Sequence, residues 1–499
     1  MSFTELGLHG RPCVRRFFFL FLLFHALLTA NHYVLAHARR NPWLRLHSRK
    51  NTMNRFAQVL LLLMFSLPAF AANWYVRPSS FGLNNGTSWS NAWSTQSMNW
   101  SNVQPGDTVW MAGGTYTTTL TVGKSGNSTA GPITFKRVLS TDSVPVAAAG
   151  WSSSFDSQVI LNAGNAGIVS KQSYVTIDGR VGEVDGTTTP YGIKVIFATG
   201  FTGGVDLEGT NLTLQYVEMQ GPGIYYFEST PTTCANGLIF GWTTSILTND
   251  LVTHTYIHDS DTLINGNGNG IIIEHSRLAF SGGNGNAGYC HGNIAYIGGN
   301  NGTGSMFRYD DISQMDDEGI FFTSYGGMPT GWKVYGNVFH DGHVNPVVAN
   351  YSRGLEFRSD VAATSIEVYN NTFANLNFAG ISNGGGTGAC NSNCDVRDNL
   401  SYDADIQIPV GAIESNNVND STNRYMSVSG QDYHLNQATA AGYSLSSSLP
   451  TGCTVGLNCY AIDMDGNIRG ADGVWDVGAY EYRGSSRPGA PVGLQFKVQ

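Results

Sequence analysis

Short apolar runs of β type, six to eight residues long and closed by Gly, Asn or Asp, recur through the middle of this 499-residue chain. They are Tyr174–Gly179, Leu212–Met219, Val252–Asp259, Ile271–Leu278, Met306–Ile312, Trp332–Phe339 and Ile366–Phe373. Long amphipathic helical patterns are few, so the pattern points to strands. Taking the apolar residue before each turn (Val217, Ile257, Leu278, Ile312, Val338) as an anchor, the steps are 40, 21, 34 and 26 residues. A fixed period would mean a regular solenoid. An irregular one fits rungs of roughly 20–25 residues that carry insertions on one side. The insertions are rich in Gly and Asn (Gly266–Gly270, Gly282–Gly288, Gly298–Gly304, Gly384–Gly388), and Asn tolerates the left-handed backbone that tight corners require.

The first 71 residues read as an address. Met53-Asn54-Arg55, the apolar run Val59–Phe65 and Ala69-Phe70-Ala71 have the order of a secretory signal peptide, with cleavage expected after Ala71. Residues 1–52 lie upstream of it and hold Arg15-Arg16 before Phe17–Leu28, a stretch too short for a clear membrane span. Two readings stand: Met53 is the true start, or the upstream segment anchors the protein to a membrane. The expected divisions are 1–52 upstream extension, 53–71 signal peptide, 72–430 solenoid, 431–483 closing rungs and cap, and 484–499 tail or linker. Nine of the 27 Lys and Arg and one of the 36 acids fall in residues 1–71. The chain from Ala72 therefore has 18 basic and 35 acidic residues, a net −17. Nucleic acid is an unsuitable partner for such a surface, because phosphate contacts need a basic face. An anionic polymer remains compatible if a divalent cation bridges acid to acid. Six Cys remain (Cys234, Cys290, Cys390, Cys394, Cys453, Cys459); Cys390/Cys394 and Cys453/Cys459 read as disulfide staples, and Cys234 with Cys290 as a weaker pair.

The start of the expected mature chain adds a resemblance. A Trp74–Val76 strand, the turn Asn85-Gly86-Thr87-Ser88-Trp89, and Pro105-Gly106-Asp107-Thr108-Val109 followed by Gly114-Thr115-Tyr116 resemble the opening of secreted bacterial proteins of the pectate lyase-like superfamily. Asp432-Tyr433-His434-Leu435, Asp463-Met464-Asp465-Gly466-Asn467 and Asp476–Glu481 resemble their closing segment. The resemblance covers about residues 74 to 482. It implies an all-β, single-stranded right-handed parallel β-helix with loop insertions and a C-terminal capping segment over the last strand edge. That fold hosts lyases, hydrolases and non-catalytic proteins, so the chemistry has to come from residues. Asp463, Asp465 and Asn467 are either Ca²⁺ ligands or a turn capped by its own side chains, the second being the simpler reading.

Chemistry concentrates between Gly288 and Arg358. Aligning Asn293-Ile294, Gly319-Ile320 and Gly354-Leu355 puts His291, Asp317 and Ser352 at one level and Gly292, Glu318 and Arg353 at the next. Stacked as parallel strands about 4.8 Å apart, these runs would gather a His, carboxylates and an Arg on one face. Asp316, Asp317 and Glu318 are candidate metal ligands for Ca²⁺, since crowded carboxylates either hold a cation or raise one another's pKa. Asp310 and Asp311 read as a solvated turn. In the strand Gly354–Arg358, Leu355 and Phe357 should face inward, and Glu356 and Arg358 outward. His340 and His343, with Asp341, are a weak metal pattern; His254, His258 and His275 read as ordinary rung or turn residues.

Three readings follow, all with a polysaccharide as partner and a monomer without a membrane span in the mature chain. The first is a lyase: Ca²⁺ on Asp316, Asp317 or Glu318 grips a uronate, and Lys333, Arg353, Arg358 or, less readily, His291 removes the C5 proton. The resemblance implies acids for Ca²⁺ and an Arg or Lys base, but no ligand-and-base spacing here matches one lyase family. The second is a glycoside hydrolase in which two carboxylates among Asp317, Glu318 and Glu356 flank the bond, at the ~5–10 Å that such mechanisms need. Paired Asp before His-Gly, the polygalacturonase-type order, is not met. The third is a glycan-binding or adhesive protein stacking sugars on Phe321, Tyr325 or Trp332, with Phe322 and Phe357 kept for packing.

Overall fold

In a computed structural model the described residues run from 71 to 483, apart from 165, 180–190, 199–202, 224–233, 242–248, 268–269, 283–290, 300–301, 326, 343–351, 359–361, 385–388 and 440–459. Each coil of the chain gives one strand to each of three parallel sheets, of twelve, eleven and ten strands among the described residues. One coil shows the path. Ile271–Glu274 lies in the twelve-stranded sheet, Arg277–Ser281 in the eleven-stranded one, Ala295–Gly298 in the ten-stranded one, and Met306–Arg308 returns to the first. The chain is a parallel β-helix, as the recurring runs and the family resemblance lead one to expect.

Strand alternation fills its interior. Ile273, Phe307, Val334, Val368 and Val396 stack in register inside the first sheet, and Leu278, Ile312, Phe339 and Phe373 inside the second. Ile264, Ala295, Ile320, Leu355 and Ile381 do the same in the third, and all fourteen are fully buried. Burying each large member stabilises the fold by about 1.5–3 kcal/mol. Aromatic rings continue the stacking, with Phe339 and Phe373 4.9 Å apart and Phe322 and Phe357 5.5 Å apart.

The corner between the twelve- and eleven-stranded sheets turns on one residue of positive φ per coil: Tyr216, His254, His275, Tyr309, Gly336, Asn370, Asp398 and Asn416, at 48–68°. The rings of Tyr216, His254, His275 and Tyr309 stack at 4.9, 5.5 and 5.3 Å, so both histidines are turn residues as expected. The next residue points inward and forms a ladder. Asn337, Asn371, Asn399 and Asn417 pass amide hydrogen bonds of 2.9–3.0 Å from one coil to the next. Asp310 occupies this ladder too and accepts from the Ser276 amide at 2.9 Å, which corrects the expectation of a solvated turn.

Register also corrects two anchors. Ile257 pairs with Met219 rather than Val217, and Ile312 with Phe339 rather than Val338. Neighbours on both faces are buried here, since Val338 is covered from outside, and a run apolar on both faces hides its own register.

The closing segment lies along the flank of the solenoid. The antiparallel strands Tyr425–Ser427 and Asp432–Leu435, with Val477 and Ala479, pack on Val338, Ala374 and Leu400 of the eleven-stranded sheet. Tyr460 and Trp475 pack on Tyr309, Tyr335 and Tyr369. Its described part thus covers outward apolar residues of successive coils along the flank. Asp463 accepts hydrogen bonds from the amides of Asp465, Asn467 and Glu481 and from the Asn467 side chain, the self-capped turn. Cys390 and Cys394 form a disulfide. Cys234 is disulfide-bonded, whereas Cys290, Cys453 and Cys459 lie outside the described residues, as does His343. No helix among the described residues is long and apolar enough to cross a membrane.

Candidate functional site

Two neighbouring strands of the ten-stranded sheet, Glu318–Phe322 and Arg353–Phe357, carry the densest charge. They pair with Glu318 opposite Arg353 and Phe321 opposite Glu356. Leu355 and Phe357 are buried while Arg358 is exposed and Glu356 half-buried, the alternation the sequence predicts. At the strand entry the Arg353 backbone N–H donates to Asp317 O at 2.7 Å, which levels Asp317 with Ser352 and sets its side chain beside the guanidinium.

Arg353 is the hub. Its Nη1 donates to Asp317 Oδ1 at 2.7 Å and to Glu318 Oε1 at 3.4 Å, its Nε lies 2.8 Å from Glu356 Oε2, and Phe378 lies under its guanidinium at 4.9 Å. Glu318 is the deepest of the three acids on Arg353, 6% exposed, and accepts a short hydrogen bond from Asn293 Nδ2. Burial, then the charges of Asp317 and Glu356, push its carboxyl well above the usual range, against the pull of Arg353. Glu356 is also raised, first by burial and then by Asp317, while Arg353, Ser382 and Arg358 oppose the shift. Two carboxyls inclined to hold a proton therefore sit beside a third that contacts the same guanidinium.

His291 borders this cluster. Its ring lies 5.0 Å from Tyr296 and 6.4 Å from Phe321, and burial, together with Arg358, lowers its pKa against the pull of Asp317. Thr323 Oγ1 links Tyr296 Oη and Arg358 Nη1, each at 3.4 Å. The level of His291 differs from the one the sequence alignment gives. Ala295, not Ile294, pairs with Ile320, so Asn293 stands level with Glu318 and His291 one step off Asp317. Consecutive apolar Ile294 and Ala295 leave the register open by one, and the slip concealed Asn293.

Asp317, Glu318, Arg353 and Glu356 are thus in contact, with His291 and Arg358 close by. Lys333 is not. It belongs to the twelve-stranded sheet, where Nζ bonds Glu367 at 2.8 Å and Tyr460 Oη at 3.1 Å. Asp316 is wholly buried while Asp317 next to it, in the bend before the strand, is half-buried. Asp317 and Glu318 both meet the Arg353 guanidinium, so a metal ion there would compete with it. Among the described residues no group of three His, Cys, Asp or Glu is arranged to hold one. Trp332 is fully buried against Phe307 and offers no face to a sugar, whereas Tyr325 is 55% exposed. Phe378 and Ser382 carried no sequence signal beyond a lone aromatic and a serine.

A second charged row lies on the eleven-stranded sheet. His340 bridges Asp311 at 2.7 Å and Asp341 at 2.8 Å. Burial works against its charge, but both carboxylates bring it up to about 9. His258 sits likewise between Glu218 at 3.3 Å and Asp259 at 2.9 Å, with Lys194 on Glu218. An imidazolium clamped between two carboxylates is poorly placed to take a proton, so this row reads as a structural clasp.

The sequence matches no protein-family model and no curated protein. Solved structures similar to the chain include a pectate lyase, 14% identical over 83% of this chain and 96% of that one, with a TM-score of 0.47. They also include the alginate lyase from Paenibacillus sp. strain FPU-7 (14%, 65% and 97%, TM-score 0.34) and the lacto-N-biosidase of family GH136 from Eubacterium ramulus (11%, 74% and 70%, TM-score 0.40). Likeness at this level does not reach individual residues, and the fold stands on the chain's own strand pairing.

Proposed function

We propose that this protein is an exported polysaccharide-cleaving enzyme, and that the face built on Glu318–Phe322 and Arg353–Phe357 is its active site. One observation carries the reading: Asp317 and Glu356 both contact Arg353, with a proton-holding Glu318 beneath them. Two oxygens on one guanidinium stand at most about 8 Å apart, below the roughly 9.5 Å upper limit for the paired carboxyls of glycoside hydrolases. Glu356, its proton affinity raised, is the general acid that protonates the leaving oxygen. Asp317 is the nucleophile or the base for water. Arg353 orients both, and Glu318, held by Asn293 and inclined to keep its proton, spares the hub a second full negative charge beside Asp317.

Hydrolysis is placed ahead of elimination because the acids converge on Arg353, and a cluster of carboxylates is a poor seat for a uronate. The lyase reading keeps one support. His291 is inclined to be neutral and lies near Arg358, so an imidazole base and a cation for a sugar carboxylate are side by side. A Ca²⁺-assisted course on Asp316–Glu318 would need those side chains to leave the pairs they make.

The test is a panel of neutral and anionic polysaccharides, read for reducing ends and ultraviolet absorbance together, with and without chelator. Reducing ends without absorbance, lost in Glu356→Gln and Asp317→Asn, support hydrolysis. Absorbance lost in His291→Ala supports elimination, and its loss with chelator would bring Ca²⁺ back. An unchanged rate in all three variants would remove the site from this face.

A further inference from the structure

The ten-stranded sheet begins far from the charged cluster, at Leu120–Val122, and a groove of about 480 Å³ opens against that strand. It is lined by Thr95, Gln96, Trp100, Thr117, Thr118 and Thr121 among nine residues, none of them ionisable. This volume falls in the ~300–1,000 Å³ range of small-molecule sites. Thr117, Thr121 and Gln96 are exposed, and the Thr118 hydroxyl is joined to that of Thr95 at 2.5 Å. Trp100 is anchored by Phe135, 6.1 Å away, and by Gly123, where any side chain would strike its ring at 2.6 Å. A held indole beside a bank of hydroxyls and an amide, with no charge, matches a ligand that has an apolar ring face and a rim of hydroxyls.

We infer that this groove is a second binding site, for a neutral glycan. Its strand stands seven strand-to-strand steps from Arg353–Phe357 in the same sheet, about 34 Å along the solenoid. A site so far from the acids takes no part in bond cleavage. It holds a distant part of a long polymer and raises the effective concentration of the remainder at Glu356. The inference rests on the glycan-cleaving reading of the Arg353 face for its purpose, but not for its binding chemistry.

The test uses the full chain carrying Glu356→Gln, titrated with an array of neutral hexaoses and with hexagalacturonate as the charged control. Tryptophan emission and calorimetry give the readouts. A neutral hexaose should bind at millimolar or better affinity and shift the emission. Thr117→Val with Thr118→Val, and separately Gln96→Ala, should weaken it at least tenfold while Trp100→Phe keeps most of it. In the chain with Glu356 intact, the Thr variants should raise KM for the polymer and leave kcat on short substrates unchanged. Absence of neutral binding, or binding indifferent to the exposed Thr and Gln variants, overturns the inference. An active Glu356→Gln chain would sink the acid-cluster reading instead and leave the binding result standing.

Discussion

The corner between the twelve- and eleven-stranded sheets and the outward face of the ten-stranded sheet are both polar features on a stack of strands, and they are built on opposite rules. At the corner, like is placed on like: Asn337, Asn371, Asn399 and Asn417 each repeat the same hydrogen bonds on the next coil. On the outward face, Asn265, Tyr296, Phe321, Glu356 and Ser382 follow one another with nothing repeated. Repetition satisfies buried amides and holds the solenoid. Its failure, with three carboxyls around Arg353, leaves two carboxyls whose proton affinity is raised, the groups on which the proposed cleavage rests.

Substitutions on the two regions should therefore separate activity from stability. Glu356→Gln should lower the cleavage rate by ~10²–10⁴-fold, the usual worth of a positioned acid, while the midpoint of chemical unfolding hardly moves. A parallel loss of both would place Glu356 with the structural residues.

Asn371→Ala should do the reverse. It removes the acceptor used by Asn337 and the donors that reach Val334 O and Asn399 Oδ1, leaving buried partners unmet. A loss of about 2–4 kcal/mol is expected in denaturant titration, with the rate per folded molecule unchanged.

Asp310→Asn should stabilise, because it replaces the ladder's acid with the residue the next four coils use. Burial raises the Asp310 pKa well above the ordinary value, so its protonated form is the one the fold favours. That advantage is whole below about pH 4 and is lost as pH rises toward the folded pKa. The same sign holds for Asp250, raised to about 7 by burial against the Leu212 N–H it accepts. Unfolding curves from pH 4 to 8 should fall for the unaltered chain and flatten for Asp310→Asn; a steeper fall in the variant would refute the ladder assignment.

Lys333→Ala should have the smallest effect. The Lys333–Glu367 pair is partly open to solvent, so below about 1 kcal/mol of stability and no change in rate are expected. A large rate loss would mean that the catalytic face reaches the twelve-stranded sheet.

Much of this was legible in the chain itself. Alternation in Gly354–Arg358 was enough to send Glu356 and Arg358 outward, and the level of Glu318 with Arg353 followed from Gly-Ile over Gly-Leu. His291 was misplaced by one residue because Ile294 and Ala295 are both apolar, and Asn293 was hidden by the same ambiguity. Lys333 looked like a neighbour because it is close in sequence to Arg353. The coil that starts at Lys333 is 34 residues long and returns to its sheet only at Glu367, so Arg353, twenty residues on, stands on a different face.

The sequence by itself determined the solenoid, because short β runs closed by Gly and Asn satisfy backbone and core only by stacking. It also determined that charge would gather near residues 317–358. Only the tertiary structure decided which strands are neighbours at that place, to the residue. Register depends on which of two adjacent apolar side chains turns inward, and that is settled by the packing of the coils above and below. From that choice follow the pairing of Asn293 with Glu318, the convergence of Asp317 and Glu356 on Arg353, and the course of the closing segment along the flank.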